Sequence, residues 1–137
     1  LGVATRVFIK PNVTLTITKV NDLRERFQAL CDQVFTYSNK LFIAIDAPHE
    51  QQLKAVFDPV INTYDSNKYK VEYVVVSPWI GFTAALNSVI RYVSLKKINY
   101  LSFQSLEISK LSPKIMKILI NKYMDDNTLV CGPVLVK

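Results

Sequence analysis

The sequence is poor in residue types that many binding and catalytic sites require. Its 137 residues include three glycines, two cysteines and one histidine. The glycines are far apart, which argues against the glycine-rich loops that cradle phosphates in dinucleotide folds and phosphate-loop enzymes. Cys31 and Cys131 are too few and too distant for a disulfide-stapled fold, and no metal-ligand spacing surrounds them or His49. Both cysteines fall in apolar patterns, so we expect buried thiols and a reducing compartment such as the cytoplasm.

Long apolar runs are also missing, so no segment of this sequence reaches the ~20 residues of a membrane span. Half of the residues are hydrophobic and a fifth are charged, which excludes a disordered tail. Seventeen basic and eleven acidic residues give a net charge of +6. The basic residues are dispersed, which disfavours nucleic acid as a partner. Residues 1–137 are predicted to form one domain, and both ends of the sequence suggest a fragment of a larger protein.

Short β-rich segments alternate with amphipathic segments along the chain. Strands are predicted at residues 5–9, 41–45, 71–76, 99–103 and 129–136. Helices are predicted from Asn21–Asp22, over residues 53–64 with a kink or break near Asp58 caused by Pro59, over residues 82–95, and from Ser112–Pro113. Residues 13–18 are interpreted as a loop or an extra short strand. The unbroken apolar run 41–45 is typical of a parallel strand buried on both faces. The order predicts an α/β fold, a doubly wound, mainly parallel five-stranded sheet with helices on both faces.

Such sheets bind ligands at the carboxyl ends of their strands. The segments that follow the predicted strands are 10–12, 46–49, 77–81, 104–107 and Gly132. Asp46 is the most informative of these positions, because it closes an apolar strand. Its carboxylate is suited to accept a hydrogen bond from a nucleobase or a ribose hydroxyl, or to cap the following helix.

The strand-end residues, taken in order, resemble the nucleotide-binding half of family 2 glycosyltransferases, which have the GT-A fold. The resemblance rests on Ile9-Lys10-Pro11-Asn12, Ile45-Asp46-Ala47-Pro48-His49, the Gly-x-x-x-Ala-x-Asn pattern from Gly81 to Asn87, Gln104-Ser105-Leu106-Glu107, Ser112-Pro113 and Val130-Cys131-Gly132-Pro133. It covers nearly the whole chain.

This resemblance implies a nucleotide-diphosphate sugar as ligand and sugar transfer as activity. It implies that Pro11, Asp46, Asn87 and Ser105 bind the nucleotide and that Glu107 binds Mg²⁺ or Mn²⁺. Ser105 stands where the family has the first acid of its Asp-x-Asp motif, and Glu107 stands where it has the second. The acceptor-binding half and the catalytic base of the family follow the fifth strand, so no catalytic residue is assigned.

Two other interpretations stay open. One is a glycosyltransferase-like fold without transferase activity, a pseudoenzyme that binds a nucleotide or a protein. The other is an unrelated α/β domain, such as a flavodoxin-like module or a nucleic-acid binder. In either case the apolar fifth strand is expected to be covered by a partner chain, by self-association or by a removed segment.

Overall fold

Strands and helices alternate through the part of the chain that the structure describes. A computed structural model describes residues 1–9, 13–78, 80–96, 98, 100–106, 117–119 and 121. The strands are β1 (Gly2–Val7), β2 (Lys40–Asp46), β3 (Lys70–Val76) and β4 (Leu101–Phe103). The α-helices that connect them are α1 (Ile17–Val34), α2 (Glu50–Ile61) and α3 (Phe82–Ser94), and a 3-10 helix, Ala47–His49, leads from β2 into α2.

The four strands form one parallel sheet in the order β3-β2-β1-β4. Asp46, the last residue of β2, lies opposite Val76 of β3, and Ala4 of β1 lies opposite Phe103 of β4. The predicted α/β class with a parallel sheet is therefore confirmed for the described residues. The predicted fifth strand, residues 129–136, and most of the predicted fourth helix lie outside them.

Two apolar cores hold the helices on opposite faces of the sheet. Alternate residues of β1 and β2 face α1 and α2, and the core on that side includes Val3, Val7, Leu41, Ile43, Ile45, Phe27, Leu30, Cys31, Val34, Leu53, Val56, Phe57 and Val60. The intervening strand residues face α3, and this second core consists of Ala4, Phe42, Ala44, Val74, Val76, Val89 and Val93. Because both faces are covered, the sequence of β2 is a continuous run of apolar residues and does not alternate between apolar and polar residues.

The start of α1 differs from the sequence prediction. The helix begins at Ile17 instead of near Asn21, because the hydroxyl of Thr16 accepts a hydrogen bond from the Lys19 amide at 3.3 Å and caps the first turn. Residues 13–16 have no regular secondary structure, so the optional extra strand is not formed there.

The helix does not break near Asp58, one of the two outcomes predicted there, since α2 continues to Ile61. Proline removes one backbone donor, but here it lies in the last turn, and the Asn62 amide still donates to the Asp58 carbonyl at 2.9 Å. The buried face of the helix, which ends at Val60, packs on the sheet across this position.

Phe57→Ala is predicted to lower the free energy of unfolding by about 3–5 kcal/mol. Phe57 and Phe27 are fully buried, and their ring centroids lie 4.4 Å apart between α1 and α2. Urea denaturation measures the effect. Leu95→Ala is the control, because Leu95 is 82% exposed and its loss is expected to change stability by less than about 0.5 kcal/mol. Equal losses for the two variants would contradict this core assignment.

Three titratable groups are held protonated by the helix–sheet packing. Burial raises the pKa of the Cys31 thiol to about 12 from an ordinary value of 9.0. Burial, reinforced by a hydrogen bond to the Asp58 carboxylate, raises the pKa of Tyr73 above its ordinary 10.0. Burial and a hydrogen bond to Asp32 raise the pKa of Tyr64 in the same way. Each group therefore keeps its proton in the native state at a pH where the unfolded chain has lost it.

Stability is predicted to fall as the pH rises above about 9, because the unfolded state then binds fewer protons than the native state. Below the unfolded pKa values these groups contribute their full stabilisation. Cys31 alone is expected to lower the free energy of unfolding by about 2 kcal/mol between pH 8 and pH 10.5. Urea denaturation across this range measures the decline, and Tyr73→Phe should make it shallower. A flat profile to pH 10.5 would contradict the raised pKa values.

Candidate functional site

The strand order defines one edge of the sheet as the place for a ligand. The chain moves from β1 outward to β2 and β3 on one side, and then crosses by α3 to β4 on the other side of β1. This reversal is a topological switch point, where parallel sheets open a crevice at the carboxyl ends of the strands. The residues that follow β1, β2, β3 and β4 meet at that edge.

Asp46 lies at this edge as a buried carboxylate. It ends β2 on the α3 side of the sheet, two residues beyond Ala44 of the α3 core, and only 1% of the residue is exposed. Its two oxygens lie 3.2 Å and 3.5 Å from Nη2 of Arg6 on the neighbouring strand β1. The side chain makes no capping hydrogen bond to the 3-10 helix that follows it, so it is an ion-pair partner and not a helix cap.

Arg6 connects three elements of the site. Its side chain is 10% exposed, and Nη2 donates to the Ile80 carbonyl at 3.2 Å as well as to Asp46. Its guanidinium carbon lies 5.3 Å from the ring centroid of Phe8, a side chain that is half exposed. The Arg6–Asp46 pair therefore joins β1, β2 and the segment before α3 at the carboxyl edge of the sheet.

The start of α3 is open beside this ion pair. Gly81 is its N-cap residue, with ordinary extended backbone (φ −64°, ψ 165°), and provides no side chain to cap the helix. The first turn has no acidic residue. A β-carbon placed on Gly81 meets no atom of the described residues within 4 Å, and residues 81–84 are exposed. The first-turn N–H groups of α3 have no partner within the helix, and they give this end of the helix a partial positive charge.

The end of β4 contributes two polar residues. Gln104 is 6% exposed; its backbone amide donates to the Ala4 carbonyl at 2.8 Å and its side-chain amide to the Tyr37 hydroxyl at 2.6 Å. This side chain therefore stabilises the sheet. Ser105 follows it and is exposed at the carboxyl edge.

The predicted site residues are only partly brought together. Asp46 lies beside Arg6 at the carboxyl edge, and Ser105 follows β4 at the same edge. Asn87 is exposed on α3, between the buried positions Ala85 and Val89. Pro11 and Glu107 lie outside the described residues, so their predicted roles stay predictions.

Arg6 is the residue that the sequence analysis missed. One feature of the sequence could have indicated this pair, namely a single charged residue in each of two apolar segments. Arg6 is the only charged residue of β1, and Asp46 is the only charged residue after Lys40 in β2. Opposite charges in two buried neighbouring strands pair, because an isolated buried charge is very unfavourable. Recognising the pair requires the strand order, which the sequence pattern leaves open.

A cavity of about 280 Å³ lies away from this edge, where the segment after α2 returns to β3. It is lined by Ile61, Asn62, Tyr64, Ser66, Tyr69, Lys70 and Val71. Tyr69 stacks on Phe35 with ring centroids 4.4 Å apart, and Lys68 Nζ lies 5.2 Å from the centroid of the same ring. These contacts hold the Tyr69 ring beside the cavity.

The described residues contain no group of three or more histidine, cysteine, aspartate or glutamate side chains suited to a metal ion. Among the same residues, no helix has the length and apolarity needed to cross a bilayer. Comparison with known proteins gives no matching family model, no similar curated protein and no similar solved structure.

Asp46→Ala is predicted to destabilise the fold by about 3–5 kcal/mol, because it leaves the Arg6 charge buried without a counter-ion. Urea denaturation measures the loss. The control is Asp22→Ala, which removes an exposed ion pair to Arg26 with a similar N–O distance of 3.1 Å and is expected to cost less than about 1 kcal/mol.

The double variant Arg6→Met with Asp46→Leu should recover most of the stability, because two apolar side chains of similar volume replace the pair. A double variant less stable than Asp46→Ala would contradict the ion-pair account.

Proposed function

We propose that this chain is the nucleotide-binding half of a family 2 glycosyltransferase, and that it binds a nucleotide-diphosphate sugar for transfer to an acceptor. The proposal is supported by the parallel sheet, its switch point between β1 and β4, and the helices on both faces. It is further supported by the strand-end residues that resemble this family. In this proposal the GT-A fold is completed by the predicted fifth strand at residues 129–136.

The observation that carries the proposal is the buried, oriented carboxylate of Asp46 at the end of β2. Arg6 donates to this carboxylate from one side only, through Nη2. An ionised carboxylate has about four acceptor positions, so Asp46 retains capacity for a further donor. A nucleobase N–H supplies such a donor. The Arg6 pair would fix the orientation of the Asp46 carboxylate before the nucleotide arrives.

The diphosphate would lie toward the end of β4, where Ser105 is exposed and Glu107 follows two residues later. Glu107 is the proposed ligand of Mg²⁺ or Mn²⁺, with water and phosphate oxygens completing the coordination. The cation would offset the charge on the departing diphosphate. Pro11 and Asn87 are proposed to shape and contact the nucleotide site, and for Asn87 this requires a ligand that reaches the exposed side of α3.

A second candidate is a glycosyltransferase-like module that has lost transferase activity. It is favoured by Ser105 in place of the first acid of the metal motif, and by the ion pair that already engages Asp46. This module would bind a nucleotide without a metal or would bind a protein partner.

Uridine diphosphate is predicted to bind the chain in a calorimetric titration, and Mn²⁺ should tighten the binding. Glu107→Ala should remove the effect of Mn²⁺, because it removes the proposed metal ligand. Glu25→Ala is the matched control, since Glu25 is an exposed carboxylate on α1 and should leave the titration unchanged.

Three other outcomes would change the assignment. Nucleotide binding that ignores Mn²⁺ would favour the inactive module. No heat at millimolar nucleotide would contradict nucleotide binding altogether. Tighter binding to an oligonucleotide that weakens steeply with salt would identify a nucleic-acid binder.

A further inference from the structure

The fold leaves one strong hydrogen-bond donor unsatisfied at the switch point. Asp46 and the Ile80 carbonyl both use Nη2 of Arg6, whereas Nη1 is buried and has no hydrogen-bond partner among the described residues. A guanidinium nitrogen has donors and no acceptor capacity, so this N–H group can be satisfied only by a hydrogen-bond acceptor. A ligand atom with acceptor character is the natural partner for it.

A second set of donors lies at the same place. The Ile80 carbonyl that Arg6 contacts immediately precedes Gly81, so the guanidinium lies at the N-terminal end of α3. Its N-cap glycine provides no capping side chain, its first turn has no acidic residue, and no described residue fills the space at Gly81. The buried guanidinium and the helix terminus therefore both favour an acceptor with negative charge.

We infer that Arg6 and the N-terminal turn of α3 together bind a phosphoryl group. A phosphate carries several oxygens, so one group can accept from Arg6 Nη1 and from first-turn N–H groups together. The net charge of +6 favours an anion over a neutral acceptor. The inference that this phosphate belongs to a nucleoside diphosphate rests on the proposed function.

This subsite is distinct from the proposed metal ligand. Glu107 would reach the diphosphate through a cation, whereas Arg6 and α3 would bind phosphate directly, on the β1 side of the switch point. Phosphate binding at this subsite therefore needs no divalent cation. Its affinity should be modest, because Asp46 already offsets the charge of Arg6.

The test uses inorganic pyrophosphate, the full chain and calorimetry in the presence of a metal chelator. The diagnostic variant is Gly81→Asp, and Gly81→Asn is its isosteric neutral control. Both side chains fit the open space and the extended backbone at Gly81, and both are good N-cap residues, so neither should unfold the helix. Only the aspartate adds a negative charge at the phosphate position.

Pyrophosphate is expected to bind Gly81→Asp about tenfold more weakly than it binds the original chain, through charge repulsion at close range. Gly81→Asn should stay within about threefold, since its amide competes for first-turn N–H groups without repelling the ligand. Arg6→Lys keeps the positive charge opposite Asp46 but removes Nη1, and a loss of about fivefold is expected. Thermal melting of each variant checks that the fold is intact.

Equal affinity in all four proteins, or no pyrophosphate binding at millimolar concentration, would overturn the inference. Titrations with uridine and with uridine diphosphate distinguish a failure of the phosphate subsite from a failure of the proposed function. Uridine diphosphate that binds no tighter than pyrophosphate would leave the phosphate subsite standing while nucleotide recognition fails. If uridine diphosphate binds the original chain, Gly81→Asp and Arg6→Lys with equal affinity, nucleotide binding stands and the phosphate subsite fails.

Discussion

The structure depends on one constraint, which is that the central strand β2 has no side exposed to water. It is paired with β1 and β3 at its edges, and residues 41–46 are buried on both faces. A parallel sheet of this kind is stable only when helices cover both faces, since its apolar side chains alternate between them. The positions of α1 and α2 on one face and α3 on the other follow from this requirement. So does the reversal of chain direction around β1, because α3 covers the second face on its way from β3 to β4.

The same constraint explains why the polar site takes the form of an ion pair. A carboxylate at the end of a buried strand must find a partner, and Arg6 on the adjacent strand lies within hydrogen-bond distance of it. Replacing such a pair with apolar residues is often neutral or stabilising, so its presence suggests a function beyond stability. Arg6 also joins Asp46 to the beginning of α3 through the Ile80 carbonyl. The proposed nucleotide site is thus assembled from groups that the fold already orients.

Apolar periodicity was sufficient to predict the alternation of strands and helices and the burial of β2. It did not predict two details of the helices. The polar cap at Thr16 starts α1 before Asn21, and α2 continues through Pro59 because its buried face is packed on the sheet. Asp46 was recognisable as a candidate site residue from its place at the end of an apolar run. Its partner Arg6 was not, because the two residues are 40 positions apart and their contact can be predicted only when the strand order is known.

The most direct test of the central claim is a nuclear magnetic resonance titration of the isotope-labelled chain with uridine diphosphate. The account predicts that backbone amide signals at the carboxyl edge shift, including those of Asp46, Gly81 and Ser105. Signals of Tyr64 and Tyr69, beside the cavity where the segment after α2 returns to β3, should stay in place. Shifts confined to that cavity, or no shifts at saturating nucleotide, would contradict a nucleotide site at the switch point.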